Sequence, residues 1–357
     1  MRLTVANDCG TWPSRAPGRD AEGGYWWNRH GLYKRTSGSA QRCLIVACMG
    51  AAVLGVLLLS DSDMPIPTSA PVRVASDVAS YLARSEGAVG DIVPGAEKTI
   101  LWAREPGQQT PLSIVYLHGF SATRQETAPL SEQLAARRNA NLYYTRLTGH
   151  GRGADAMLEG NVGAWLHDAR EAFAIGRCIG AHVIVIGVSM GGALALWLAS
   201  QPHVHLFALV LISPQLAPAD PRAAILTWPW GEQLAELMIG ERYAWAPQNE
   251  AHARYWTESY PTRALVPMMR MVELARGLDL ERVKTPTLVI YSPNDQIVSV
   301  PAIKEAFARL GASNRSLIAY TDAEDQNQHV LAGDILSPRS TEPVLEIISH
   351  FLRNGQR

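Results

Sequence analysis

The pentapeptide Gly187-Val188-Ser189-Met190-Gly191 follows the apolar, β-branched run from His182 to Ile186 and opens onto Gly192-Ala193-Leu194-Ala195-Leu196-Trp197. A strand that turns sharply around a serine into a helix presents that serine as an exposed nucleophile, and glycine two positions to either side leaves room for the turn. Alone it decides little, because roughly one chain in ten of this length would carry it by chance. A serine hydroxyl also needs a base, and the base needs a carboxylate to orient it. Downstream, the run Thr287–Tyr291 ends in Ser292-Pro293-Asn294-Asp295, and Ser316–Tyr320 is followed by a polar loop carrying His329. Ser189 as nucleophile, Asp295 as orienting acid and His329 as base make a set suited to acyl transfer. The N–H of Met190, the residue after the nucleophile, is placed to bind the oxyanion. Asp322, Glu324 and Asp325 compete for the acid's role because they closely precede His329. Asp295 is preferred because it comes from a separate loop.

Other chemistries find less support. Gly149-His150-Gly151-Arg152-Gly153 lacks both the Gly-x-Gly-x-x-Gly spacing and the lysine of a phosphate-binding loop. No metal-ligand spacing stands out, and the reading needs neither metal nor cofactor. A net charge of −1 gives no basic field to recruit nucleic acid. Of the four cysteines, Cys43 and Cys48 lie in an apolar run and Cys9 and Cys178 far from each other, which argues against a disulfide framework. Cys178 reads as a buried free thiol.

The elements that must position these residues alternate between short β-branched runs and helical patterns from residue 76 onward. Strands are expected at Thr99–Trp102, Ser113–Leu117, Leu142–Arg146, His182–Gly187, Leu206–Ile212, Thr287–Tyr291 and Ser316–Tyr320. Helices are expected at Pro129–Arg138, Gly163–Ile175, Met190–Ser200, Ala302–Leu310 and Thr341–Leu352. This is an α/β pattern, a mainly parallel sheet covered on both faces. Asp295 and His329 then fall just beyond strand carboxyl ends, where open sheets place their sites.

Residues 76–357 resemble an α/β-hydrolase of the bacterial lid-bearing branch that includes monoacylglycerol lipases, carboxylesterases and serine aminopeptidase-like hydrolases. The matching motifs are His118-Gly119-Phe120-Ser121, Gly149-His150-Gly151, Gly187–Gly191, Asn294-Asp295 and His329, with Ser, Asp and His in the family's order. The resemblance implies an eight-stranded type of sheet with a helical lid inserted after strand 6. It also implies a second oxyanion donor, the N–H of Phe120, and structural or oxyanion-loop roles for His118 and His150. The lid would be residues 215–285, where helical patterns at Gly231–Ile239 and Ala264–Arg276 accompany Trp228, Trp230, Tyr243, Trp245, Tyr255 and Trp256. An aromatic roof of this kind favours an apolar acyl group.

Ahead of this domain, residues 1–42 read as a disordered basic tail. Residues 43–59 form an uninterrupted apolar run of 17 residues, at the lower limit for a bilayer span. Residues 60–75 follow as a Pro-rich tether. Basic residues before the run and acidic ones after it predict a single-pass signal anchor with a cytoplasmic amino terminus and a periplasmic or other extracytoplasmic catalytic domain. A cleaved signal peptide and a buried helix are the alternatives. The expected activity is hydrolysis of small-molecule carboxylic esters, lipid-derived ones among them, through an acyl-enzyme. A peptidase or amidase, or an acyltransferase, would use the same triad.

Overall fold

The computed structural model describes Val72, Val74, Ala75 and residues 77–354. The tail, the apolar run and almost all of the tether lie outside the described residues. No helix among the described residues is long and apolar enough to cross a membrane.

Near-continuous apolar runs make the central strands, and the pleat divides their side chains between two cores. The strands before the insert are β1 (Thr99–Leu101), β2 (Thr110–Leu117), β3 (Asn141–Tyr144), β4 (Gly180–Val188) and β5 (Ala208–Ile212). Two short strands, β6 (Arg242–Ala244) and β7 (Ser259–Pro261), lie within the insert, and β8 (Thr287–Tyr291) and β9 (Arg315–Ala319) follow it. The main sheet runs β1-β3-β2-β4-β5-β8-β9, with β1 antiparallel and every other neighbour parallel. Val115, Leu117, Val183, Val185, Leu209 and Leu211 face one core. Ile114, Tyr116, Ile184, Ile186, Val210 and Ile212 face the other. Burying each such side chain contributes about 1.5–3 kcal/mol, so a register slip of one residue would exchange the two sets at high cost.

Helices cover both faces. On the first core lie α3 (Val162–Ile179), α4 (Met190–Ala199), α7 (Leu265–Arg276) and α8 (Val300–Arg309); on the second lie α2 (Leu130–Arg138) and α9 (Thr341–Asn354). In α3 the inward stripe is Trp165, Ala169, Ala172, Ile175 and Ile179, the helical period read from the sequence. The side chain of Asn161 caps the start of α3, and Ser299 caps α8. An additional helix, α1 (Val78–Gly87), capped by Asp77, precedes the sheet and was not foreseen.

Two expectations need correction. The sheet has seven strands among the described residues, where the resemblance implied an eight-stranded type, and the insert follows the fifth strand rather than the sixth. Residues 88–98, which precede β1, form no strand, and the chain turns there at Asp91 (φ 57°) and Gly95 (φ 98°). Between β5 and β8 the insert is not purely helical: α5 (Gly231–Ile239), α6 (Glu250–Tyr255) and α7 are joined by an antiparallel pair in which Tyr243 faces Tyr260.

Candidate active site

The parallel register brings the relevant strand ends to one edge of the sheet. Leu117 pairs with Gly187, Val188 with Ile212, Ile212 with Ile290, and Tyr291 with Ala319. The loops leaving β2, β4, β8 and β9 therefore start side by side, carrying Gly119, Ser189, Asp295 and His329.

Ser189 sits between β4 and α4 with φ 51° and ψ −118°, a strained conformation for a residue with a side chain. The packing explains both flanking glycines. A Cβ on Gly187 would lie 2.4 Å from the Gly191 carbonyl oxygen, and one on Gly191 would lie 2.0 Å from that of Leu117. The elbow is held from outside as well: Ser189 N–H donates to Ile212 O at 3.0 Å, and Gln215 N–H donates to Ser189 O at 2.9 Å. The Ser189 hydroxyl makes no hydrogen bond among the described residues.

Asp295 and His329 meet directly. The Nδ1 of His329 is 2.8 Å from Asp295 Oδ2, and the other carboxylate oxygen accepts the N–H groups of Ile297 (2.8 Å) and Val298 (2.9 Å). A carboxylate so occupied accepts a proton-bearing Nδ1, which leaves Nε2 as the basic nitrogen. Burial pushes the imidazole down, but the Asp295 carboxylate, helped by Asp325, outweighs it and raises His329 above its ordinary value of 6.5.

Asp325, the nearest rival for the acid, holds backbone instead of imidazole. Its Oδ2 accepts the N–H groups of His329 and Val330, each at 2.9 Å, and its Oδ1 accepts from Asn327 N–H and Gln248 Nε2. Glu324 pairs with Arg339, and Asp322 accepts from Thr321. Ser213 Oγ fixes the loop from the other side by donating to His329 O at 2.8 Å. The sequence offered no signal for this clamping role of Asp325 and Ser213.

The loop after β2 is held by His118. Its Nε2 accepts Leu147 N–H at 3.0 Å, so Nδ1 carries the proton and faces Gly119 O at 2.9 Å. Burial drives this histidine well below its ordinary value and His150 down to about 4, which keeps both rings neutral. Phe120 packs edge-on to His150, Trp165 and Tyr260. Met190 is the first residue of α4, so its N–H has no acceptor within its own helix. Among the described residues, no group of His, Cys, Asp and Glu is placed to hold a metal ion.

The aromatic insert divides by direction. Tyr260 is buried on Phe120, and Trp245 and Trp256 flank His252 at 4.6 Å each. Trp228 and Trp230, expected in the roof, are 61% and 63% exposed and face outward, as do Leu237 and Met238. Cys178 is half-buried rather than buried.

Residues 108–324 match the family described as Hydrolase_4, serine aminopeptidase S33. The chain belongs to this family. A thermostable monoacylglycerol lipase of Bacillus sp. (strain H-257) is 24% identical over 254 residues, 70% of this chain and 96% of that protein. Among solved structures, the chain is similar to one reported for the metagenome-derived lipolytic enzymes LipS and LipT (TM-score 0.61, 23% identity, 74% of this chain and 100% of that one). It is also similar to a soluble variant of the Saccharomyces cerevisiae monoglyceride lipase (TM-score 0.57, 12% identity, 72% and 91%). The fold is that of the α/β-hydrolases, and the relatives are of lipase and esterase type.

Proposed function

We propose that this Hydrolase_4 member hydrolyses carboxylic esters through Ser189, His329 and Asp295. The observation that carries the reading is the 2.8 Å bond between His329 Nδ1 and Asp295, on the same sheet edge as the strained Ser189 elbow. His329 Nε2 takes the Ser189 proton as Oγ attacks the ester carbonyl, and Asp295 stabilises the resulting imidazolium. The N–H groups of Phe120 and Met190 bind the developing oxyanion. His329 returns the proton to the leaving alcohol, then activates a water that releases the acid from the acyl-serine. The reading requires Ser189 Oγ to hydrogen-bond His329 Nε2 when the substrate is engaged.

The substrate class we favour is a lipid-derived ester such as a monoacylglycerol. The Bacillus relative supports it, as does the insert, which we read as a lid and which buries the apolar side chains of Tyr260, Leu265, Met268 and Met269. With residues 43–59 as an anchor, the enzyme would work at a membrane, outside the cytoplasm. Ser189→Ala tests the core of the reading. It should abolish both turnover of short p-nitrophenyl esters and labelling by a fluorophosphonate probe; undiminished labelling of the variant would refute it. The family's description favours a second reading, aminoacyl amide hydrolysis. The kcat/KM ratio of matched esters and amides on the wild-type enzyme decides between them.

A further inference from the structure

Glu126 is a buried carboxyl group that the triad does not use. It is 2% exposed and ends a short turn, Arg124–Glu126, that is capped by Thr123. Its Oε1 accepts Gly119 N–H at 2.7 Å and the Tyr116 hydroxyl at 2.9 Å, and Thr127 Oγ1 donates to that hydroxyl at 2.8 Å. The same carboxyl lies close to the nucleophile. A Cβ on Gly119 would be 3.0 Å from Glu126 Oε2, 3.2 Å from Ser189 Cβ and 3.7 Å from Ser189 Oγ. The turn is also tied to the loop beyond His329, where Asp334 N–H donates to Ala128 O at 2.9 Å.

Gly119 O belongs to the same peptide group as Phe120 N–H. His118 Nδ1 and Ala122 N–H hold that carbonyl, and Glu126 holds the preceding N–H, so each of the two peptides flanking Gly119 is held through one of its polar groups. We propose that Glu126 is a positioning residue for ester hydrolysis, its carboxyl holding the Gly119 peptide so that Phe120 N–H stays aimed at the oxyanion formed at Ser189. This rests on the ester-hydrolase reading above.

The charge state adds a pH signature. Burial pushes Glu126 up to about 8 against the pull of Gly119 N–H, the Tyr116 hydroxyl and His329. Tyr116 on β2 and His329 after β9 are the titratable groups facing it. Tyr144 stacks edge-on behind Tyr116, with Arg124 over the Tyr144 ring, and Asp295 and Asp325 face the far side of His329. At pH 7 the neutral carboxyl places no negative charge beside the oxyanion. Above about pH 8 its ionisation sets a negative charge beside Gly119 and Ser189, where it opposes the developing oxyanion at close range.

The test compares Glu126→Gln and Glu126→Ala in the full chain on a p-nitrophenyl ester. Glu126→Ala should lower kcat at least tenfold with KM within about twofold, the pattern of an interaction made in the transition state. Glu126→Gln keeps an acceptor oxygen and stays neutral, so it should recover at least about a third of kcat at pH 7 and hold its rate from pH 8 to 9.5, where the wild type declines. An unchanged kcat in Glu126→Ala, or an alkaline decline in Glu126→Gln equal to wild type, overturns the proposal; should the alanine variant fail to fold, the glutamine profile decides. Fluorophosphonate labelling of the wild type at Ser189 separates the two levels. Without it the hydrolase reading falls and takes this one with it, whereas labelling with an unaffected Glu126→Ala overturns the Glu126 role alone.

Discussion

Asp295 turns one carboxylate oxygen to His329 Nδ1 at 2.8 Å and the other to the N–H groups of Ile297 and Val298. The acid is therefore oriented by its own loop before it orients the base. Ala219 N–H donates to Ile297 O, and Ser299 N–H to Ala217 O, so the first residues of the insert brace that loop in turn.

The raised pKa of His329 fixes the direction of the acid limb. A general base works when neutral, so kcat should rise with pH through a midpoint above 6.5. The stability linkage has the opposite sense: the Asp295–imidazolium contribution is complete below the unfolded pKa and disappears as pH rises through the folded one. Asp295→Asn should cost about 10³-fold or more in kcat by favouring the wrong tautomer. Steady-state rates from pH 5 to 8 read both effects, and an acid limb centred below 6.5 in the wild type would contradict the pairing.

Asp325 should behave differently from Asp295. Truncating it to alanine strips the acceptor from the buried N–H groups of His329 and Val330, and from Asn327 N–H, which should cost about 3–5 kcal/mol of stability along with activity. Asp295→Asn, by contrast, should melt near the wild type. Parallel thermal melts and kcat values separate backbone clamp from orienting acid; a stable but inactive Asp325→Ala would reverse the assignment.

What the sequence disclosed follows the range of the forces involved. The Ser189 elbow was legible because strand, glycines and helix are contiguous, and Asp295 and His329 because a parallel sheet gathers its strand ends. Glu126 was not, since its role depends on where Gly119 N–H points, and the stretch Ser121-Ala122-Thr123-Arg124-Gln125-Glu126 reads as an ordinary polar loop. Trp228 and Trp230 misled for a related reason: composition reports an aromatic, and tertiary packing decides which face it takes. The seven β-branched runs correspond to the seven strands of the main sheet, because each run is contiguous; the eighth strand came from the resemblance alone.

The run 43–59 makes a prediction about partitioning. Seventeen residues of helix span about 26 Å, close to the hydrocarbon thickness of a bilayer. The full chain should stay in the membrane pellet after an alkaline carbonate wash, and deleting 43–59 should move the esterase activity to the supernatant. Carbonate extraction of the intact chain would rule out a spanning anchor.

The strain at Ser189 can be measured. At φ 51° and ψ −118° a residue with a Cβ is held at a cost of about 1–3 kcal/mol, whereas glycine populates positive φ freely. Glycine's added freedom in the unfolded chain returns about 0.5–1 kcal/mol of that gain. Ser189→Gly should therefore be inactive yet melt about 2–4 °C above wild type. Ser189→Ala, which keeps the Cβ and the strain, should be inactive with a melting temperature close to wild type. Equal melting of the glycine and alanine variants would mean that the elbow relaxes without cost, and that the backbone around the nucleophile is not under tension.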